Sequence, residues 1–477
     1  MKHNRNNKQI KKSKQITFSP EAGGNLMRDR LIGISIFTGM TIAVLFIAYY
    51  TINNVTLYID ESYYIMAAKK AMSGEIPYRD FGYAQAPIMP YINGFFLNIF
   101  GFTQQASRVI NMCWGYLAIL FSMIFVLKRR GLWACFICGW VLLSSPLWVG
   151  VNCFSTYGLT NFLMTVTGIV FCSSLKYDKK VILFSIFGSL AIGCRLTVAP
   201  AIMILWAFLI LEGNDYRQKM KTFFIFIAVE LTILLPFFIA SPYNFIHWNV
   251  GYHISTTIHR RIFSEHFLGQ PSVFIMLSLA IPLAFILKKK FTSPEVALLL
   301  AAIAGIFSQF IPQSSYFIYS MLFSTMAVMG GTIILSDFKY KKYICAILLI
   351  FPLIYLTPSN PHSYLTYPPI NAYFDNKWND TRNEAVKFLK KNTSSDDLLL
   401  THYPILAIEA DRDIFHGMEM GWFAVTDEMD QTTAKKLNYM HYNELIKIVR
   451  YSEAKAIILR TDPAYPNFFC HAQALHL

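Results

Sequence analysis

Charged residues are scarce in this chain of 477 residues. They make up 15% of the sequence, whereas 55% is hydrophobic and 16% is aromatic. An ordinary soluble domain has about a quarter charged residues. The apolar residues fall in repeated blocks of bilayer-spanning length, without the alternation of half-buried strands. This composition excludes a soluble globular protein and predicts a polytopic membrane protein.

Cysteine also provides little chemistry. Seven of the eight cysteines lie in or beside apolar segments, and Cys470 is alone in the polar tail. No disulfide framework can be built from this distribution. Cys135 and Cys138 have the spacing of a redox pair, but they lie within an apolar segment and no thioredoxin-like pattern surrounds them. We therefore interpret them as packing residues.

The basic residues indicate how the chain is oriented in the membrane, and they do not indicate a polyanionic partner. The chain has 42 Lys and Arg against 28 Asp and Glu. These cations sit in short clusters between apolar blocks, so no basic face for nucleic acid is predicted. Residues 1–30 are basic, with no acid before Glu21, and we predict a cytoplasmic N-terminus. The apolar run 31–52 is too long for a signal-peptide core and predicts an uncleaved first membrane helix.

About eleven membrane spans are predicted. After the first, they lie near 105–127, 132–150, 158–175, 181–194, 196–211, 222–240, 272–287, 294–311, 316–335 and 343–357. Basic turns occur at every second connection, as the positive-inside rule requires. The first outer loop, 53–104, the loop 241–271 and the tail from 358 then face the extracytoplasmic side. This topology needs the two short segments beside Arg195 to be separate helices.

The tail 358–477 differs in composition and predicts a small extracytoplasmic α/β domain. Thr381 and Glu384 have the spacing of a capping box before an amphipathic helix. Residues 398–401 and 456–459 read as short buried strands, with a second helix over 433–451. The fold class is therefore mainly α: a membrane helix bundle over 31–357 with juxtamembrane outer helices, followed by this α/β domain.

Two adjacent carboxylates, Asp60 and Glu61, directly follow the first span. An ionised carboxylate near the membrane is costly, at most about 2.5–3.5 kcal/mol at the bilayer centre. A compensating environment is therefore expected. One interpretation is that the pair caps the next helix, since negative charge complements a helix N-terminus. Capping and a catalytic role are compatible.

The first outer loop carries further spaced residues. They are Gly74, Pro77, Tyr78, Asp80 and Phe81, then Pro87 and Tyr91, then Phe100, Gly101 and Arg108. Over about residues 55–110 this pattern resembles the first extracytoplasmic loop of the C superfamily of glycosyltransferases. It is most similar to the dolichyl-phosphate-mannose protein mannosyltransferases and the aminoarabinose lipid A transferases.

The resemblance implies an enzyme of the inner or plasma membrane. Such an enzyme moves a sugar from a polyprenyl-phosphate donor to a lipid, glycan or protein acceptor outside the cytoplasm. It implies Asp60 as the base, with Glu61 holding the acceptor, a metal ion or the backbone. Tyr63, Asp80 and Tyr91 are expected to line the substrate cavity. A divalent cation is compatible with the family, but no metal ligands are assigned.

The phosphate-binding residues depart from the family pattern. The aminoarabinose transferases carry a lysine just before the proline that matches Pro87, whereas this chain has Gln85 and Ala86. Arginine clamps phosphate through two parallel hydrogen bonds, so Arg79, Arg108 and Arg195 are the candidates. Arg108 fits best by motif position. The alternative for Arg108 and Arg195 is that they snorkel at helix ends.

Further cavity residues are expected in two later outer segments. His253, His259 and Arg260 lie in the loop 241–271, which is alternatively an interfacial amphipathic helix. Its histidines do not have the spacing of a zinc site. Gln313 and Tyr316 lie near the start of the tenth span, where the family usually has a basic residue before the tyrosine.

Two other functions are compatible with a polytopic chain. A transporter or flippase of lipid-linked glycan needs intramembrane charges and broken helices, whereas the charges here gather in the outer loops. A surface-glycan polymerase or ligase would use a lipid-linked acceptor as well as a lipid-linked donor. No acceptor-side residue in the sequence separates this function from simple transfer.

Overall fold

The computed structural model describes residues 31–42, 44–46, 49, 52, 59–143, 155–255, 271–290, 292–310, 317–339, 341, 343, 348, 377–451, 454 and 456–458. The chain forms two compact units, Met1–Ala43 and Val44–Leu477. In the first unit, residues 31–42 are helical. The predicted cytoplasmic segment 1–30 lies outside the described residues. All the elements that follow belong to the second unit.

The second unit is mainly helical, as the composition predicts. Its α-helices are α1 (Ile59–Met72), α2 (Ile88–Phe100), α3 (Gln104–Arg130), α4 (Leu132–Leu143), α5 (Tyr157–Cys172), α6 (Tyr177–Cys194), α7 (Ala199–Glu212), α8 (Tyr216–Ala240), α9 (Pro242–Ile246), α10 (Tyr252–Ser255), α11 (Pro271–Ile286), α12 (Pro294–Ser308), α13 (Ser324–Ser336), α14 (Lys377–Asn392), α15 (Pro404–Ala410), α16 (Gln431–Lys436) and α17 (Tyr442–Arg450). Shorter helical turns cover Leu196–Val198, His247–Gly251, Phe317–Phe323 and Gly421–Phe423.

In the described part of the chain, two helices are long and apolar enough to cross a membrane, α3 and α8. The other apolar helices are shorter, and the total of about eleven spans stays a prediction. α3 begins at the N-cap Thr103, whose hydroxyl accepts a hydrogen bond from Ala106 N at 3.1 Å. It ends in a basic last turn before Gly131. Basic residues there favour both the helix dipole and a cytoplasmic end.

The two short segments beside Arg195 form separate helices, as the topology requires. α6 ends at Cys194, and Arg195 has an extended backbone with φ −158° and ψ 111°. The helical turn Leu196–Val198 then leads into α7. The break places the Arg195 side chain inside the bundle, where it is 3% exposed.

The interior of the bundle is polar in places. α5 is buried along most of its length. The Thr165 hydroxyl on α5 lies 2.8 Å from that of Thr325 on α13, and Thr325 donates to Asn161 Oδ1 at 3.1 Å. By contrast, α8 has buried side chains only at Thr222 and Phe226. Its apolar surface faces outward, as expected of a helix in contact with lipid.

The C-terminal segment contains the predicted strands. β1 (Leu398–Thr401) pairs in parallel with β2 (Asp413–Ile414) and with β5 (Ala456–Ile458), in the order β2-β1-β5. A second parallel pair joins β3 (Val425–Thr426) to β4 (Met440–His441). The segment is therefore α/β. The predicted boundary at Pro358 lies outside the described residues.

Two local predictions for this segment are wrong. α14 is already helical at Lys377, so Thr381 lies within the helix and does not cap it. The predicted helix over 433–451 is instead α16 and α17, separated by β4. Asn438 interrupts it with a left-handed φ of 61°. A tertiary contact accounts for the break, because the Asn438 amide donates to Tyr78 O at 3.0 Å.

The C-terminal segment packs directly on the outer loops. Trp248 donates its indole N–H to Leu437 O at 3.0 Å. Its ring lies so close to Gly82 that a Cβ there would approach it to 2.7 Å. Asn244 donates to both Tyr78 O and Lys436 O at 2.8 Å. The start of the loop 241–271 is thus held between the first outer loop and the C-terminal segment.

Candidate active site

Asp60 lies in the first turn of α1, where a negative charge complements the helix dipole. Its side chain is half-buried. Loss of hydration raises the pKa of this carboxyl to about 7; the positive charge of Arg195 opposes the rise and the negative charge of Glu61 adds to it. A carboxyl group with a pKa near the working pH accepts and releases protons readily.

Arg195 makes only hydrogen bonds to neutral groups among the polar contacts described. Its Nη1 donates to Thr156 Oγ1 at 3.2 Å and to Gln85 Oε1 at 3.4 Å. Its Nε donates to Thr197 Oγ1 at 3.2 Å. In the family that the first outer loop resembles, a lysine lies near the position of Gln85. The arginine therefore supplies the cation next to this loop.

Aromatic rings complete the surroundings of this guanidinium. Its carbon lies 5.0 Å from the ring centre of Tyr157 and 4.4 Å from that of Tyr319. Cation–π contacts of this kind stabilise a desolvated arginine. Within the described residues, no carboxylate forms an ion pair with Arg195. The Asp60 carboxyl acts on this charge without forming an ion pair with it. A buried cation that is only partly compensated is costly, so the position favours an anionic ligand.

A small cavity opens beside Arg195. Its lining residues are Gln85, Ala86, Arg195, Leu196, Thr197, Asn249, His253 and Tyr319. His253 Nε2 lies 2.9 Å from Ala84 O. Burial, aided by the charge of Arg195, lowers the pKa of His253 to about 4. The imidazole is therefore neutral at pH 7 and donates its N–H to the carbonyl, which leaves Arg195 as the cation of the cavity wall.

Glu61 and Arg108 form a buried ion pair. Arg108 donates from Nε to Glu61 Oε1 at 2.8 Å and from Nη2 to Oε2 at 2.7 Å. Both side chains are at most 2% exposed. Nη1 of Arg108 also donates to Ile52 O at 3.1 Å. This two-pronged geometry ties the first turn of α1 to α3, and it neutralises the arginine that fitted the phosphate motif best.

We expect Arg108→Ala to lower the free energy of unfolding by about 3–5 kcal/mol, because it removes the arginine that neutralises the buried carboxylate of Glu61. Chemical unfolding of the purified protein in detergent measures this loss. Lys221→Ala is the control, since Lys221 pairs with Asp178 at an exposed site and should cost at most about 1 kcal/mol. Equal losses in the two variants would contradict the expectation.

The other motif residues of the first loop lie outside the cavity wall. Arg79 is half-exposed and donates two hydrogen bonds of 2.8 Å to Asp80, which also accepts from Ile76 N at 2.7 Å. Tyr63 is buried against Tyr64, with ring centres 4.1 Å apart. Tyr91 packs near Phe237, with ring centres 5.6 Å apart. Four expected site residues, His259, Arg260, Gln313 and Tyr316, lie outside the described residues.

Several residues around the cavity were not predicted. Tyr157, Tyr319 and Asn249 lie in apolar blocks or loops where their type and spacing carry no signal. The sequence pointed to Gln85 only because the family that it resembles has a lysine near this position. Its contact with Arg195 crosses 110 positions of sequence.

The described part of the chain contains no group of three or more His, Cys, Asp or Glu side chains suited to hold a metal ion. The divalent cation suggested by the family resemblance therefore stays a proposal.

Neither protein-family models nor curated protein sequences match this chain. Solved structures do. ArnT from Cupriavidus metallidurans in the apo state gives a TM-score of 0.60 at 12% identity, covering 92% of this chain and 94% of that chain. The same protein bound to undecaprenyl phosphate gives 0.58 at 11% identity, covering 87% and 91%.

A second kind of neighbour is the oligosaccharyltransferase of Archaeoglobus fulgidus in complex with Zn and sulfate. It gives a TM-score of 0.51 at 15% identity, and the match covers 79% of this chain and 62% of that chain. At such identities the agreement concerns the fold. Both neighbours belong to the group indicated by the first outer loop. The chain therefore shares the fold of these two solved proteins.

Proposed function

We propose that the chain is a membrane glycosyltransferase that moves a sugar from a polyprenyl-phosphate donor to an acceptor on the extracytoplasmic face. The observation that carries the proposal is that a candidate base and a candidate phosphate-binding cation lie at one site. The carboxyl group of Asp60 has a pKa near neutral pH and interacts electrostatically with the buried Arg195. Among the described residues, no carboxylate forms an ion pair with this arginine, which packs against aromatic rings. Transfer from a phosphate leaving group needs one group of each kind.

In the proposed reaction the acceptor hydroxyl attacks the anomeric carbon of the donor. Its proton passes to a carboxylate oxygen of Asp60 as the new carbon–oxygen bond forms. The bond between the anomeric carbon and the phosphate oxygen breaks, and its electron pair stays on the phosphate. Arg195 stabilises this added charge, while the ion pair between Glu61 and Arg108 holds the turn that carries Asp60.

Arg195 is preferred over Arg108 and Arg79 for the phosphate. The other two guanidiniums are already neutralised by Glu61 and Asp80. The paired carboxylates therefore compensate part of their positive charge, which weakens their attraction for a phosphate group. A transporter or flippase would use Arg195 as an anion site as well, but it has no need of a nearby base.

We expect kcat/KM to depend on pH through Asp60. Its carboxyl must be deprotonated to act as a base, and its pKa is raised to about 7. Activity should therefore be at a plateau above this pH and about tenfold lower at pH 6. Initial rates between pH 5.5 and 8.5 in detergent measure the profile, with gel filtration to verify that the protein stays intact. A flat profile would contradict Asp60 as the base.

The substrate pair can be identified in cells. Mass spectrometry of envelope lipids, glycans and proteins, with and without this chain, should reveal one missing sugar that returns when the chain is restored. Restoration by Asp60→Asn would refute the proposed chemistry, whereas accumulation of an untransferred lipid-linked glycan on one face would favour a transporter.

A further inference from the structure

A chain of buried polar contacts connects the C-terminal segment to the first turn of α1. Glu409 on α15 accepts the Gln104 backbone N–H through Oε1 at 3.0 Å, and its Oε2 lies 3.3 Å from Nε of Arg382. Arg382 donates from Nη1 to the Gln104 side-chain oxygen. The Gln104 amide nitrogen then donates to Glu61 Oε2 at 3.2 Å.

The direction of these hydrogen bonds is fixed by charge. A glutamine amide has one accepting end and one donating end. Because Arg382 can only donate, it holds the oxygen of Gln104, and the amide nitrogen must face Glu61. Without the arginine, the amide oxygen loses this donor, and the amide is held less firmly against Glu61. Gln104 is 1% exposed and Arg382 3% exposed, so water cannot easily take over either contact.

The Glu409 carboxylate makes two of these polar contacts at once. Its carboxylate caps a free N–H in the first turn of α3, where a negative charge is favourable. The same carboxylate holds Arg382 in place. The C-terminal segment therefore holds the first turn of α3 directly and the first turn of α1 through Gln104.

We infer that Arg382 and Glu409 are positioning residues for Asp60: acting through Gln104 and Glu61, they hold the turn that presents the catalytic carboxyl group. This inference rests on the proposed function for the role of Asp60. It gives the C-terminal segment a part in the reaction, since Arg382 and Glu409 lie 322 and 349 positions after Asp60 in the sequence. The acceptor is not involved in this role.

The readout is the titration of Asp60 itself, which requires no donor or acceptor. A water-soluble carbodiimide with glycinamide modifies protonated carboxyl groups, and peptide mass spectrometry resolves Asp60 from Glu61. Labelling of the full chain in detergent across pH 5–9 gives the midpoint for Asp60. The charged and titratable groups facing Asp60 are Glu61, Tyr63, Tyr64, Tyr157, Arg195 and Tyr319.

Two variants change the chain of contacts differently. Gln104→Glu keeps the shape and the bond to Arg382 but sets a negative charge against Glu61, so the midpoint of Asp60 should rise by about one pH unit. Arg382→Gln removes the group that orients the amide and should shift the midpoint in the same direction. Arg412→Gln is the matched control, because Arg412 lies in the same segment but bonds Thr393 at 2.8 Å and does not reach α1. Its curve should coincide with that of the wild type.

Curves of Gln104→Glu and Arg382→Gln that both coincide with the wild type, even with lowered thermal stability, would overturn the inference and leave a purely structural clamp. If Arg382→Gln does not fold, Gln104→Glu and Glu409→Gln decide the question. Shifted midpoints together with full sugar transfer by Asp60→Asn would keep the coupling but refute the proposed function.

Discussion

Asp60→Asn is expected to lower the rate of sugar transfer by about 10²–10⁴-fold, the usual contribution of a general base. Asparagine keeps the size of aspartate, but its amide cannot accept the proton of the acceptor hydroxyl. The raised pKa of about 7 makes Asp60 a stronger base than an ordinary carboxylate. We therefore expect the lower rate of Asp60→Asn to appear as a lower kcat.

Binding of undecaprenyl phosphate provides the control for this variant. Removal of a negative charge close to Arg195 should leave that binding unchanged or make it tighter, as measured by ligand-induced thermal stabilisation. Asp178→Asn is the matched substitution, because Asp178 is exposed and pairs with Lys221. Transfer by Asp60→Asn at the wild-type rate would remove Asp60 from the chemistry.

Arg195→Gln should have the second large effect, a loss of about 10²–10³-fold in kcat/KM for the donor. Glutamine fills part of the space and retains a hydrogen-bond donor, but it offers no charge to the departing phosphate. We also expect this variant to lose the stabilisation by undecaprenyl phosphate. Arg195→Lys should recover part of the activity, since lysine binds phosphate as a point charge without the two-pronged geometry.

Arg79→Gln is the decisive comparison for the phosphate site. Arg79 is 50% exposed and already paired with Asp80, so its loss should change donor use by only a few-fold. If donor use falls more in Arg79→Gln than in Arg195→Gln, the phosphate lies at the mouth of the loop and the assignment to Arg195 is wrong.

The helical architecture was accessible from hydropathy because each segment carries its own signal. The division at Arg195 is an example, since a charged residue between two apolar blocks interrupts the local pattern. The strands at 398–401 and 456–458 were likewise predicted from short apolar runs. Composition and spacing suffice where one stretch of chain determines its own conformation.

The prediction failed where distant parts of the chain decide the local structure. Asn438 leaves the helical conformation to reach Tyr78, which is 360 positions away. Local propensity contains no trace of such a partner. The surroundings of Arg195 are similar, because the break after α6 was visible but Tyr157, Tyr319 and Gln85 meet the guanidinium only in the folded bundle.

The contacts between Gln104 and Glu409 have a consequence for biosynthesis. Their 305-residue separation corresponds to roughly 15–60 s of translation at about 5–20 residues per second. Glu61 and Arg108 can meet early, yet the Gln104 amide lacks the contact with Arg382 until that residue emerges from the ribosome. A nascent molecule that stalls before Arg382 thus lacks the contact that orients Gln104 toward Glu61.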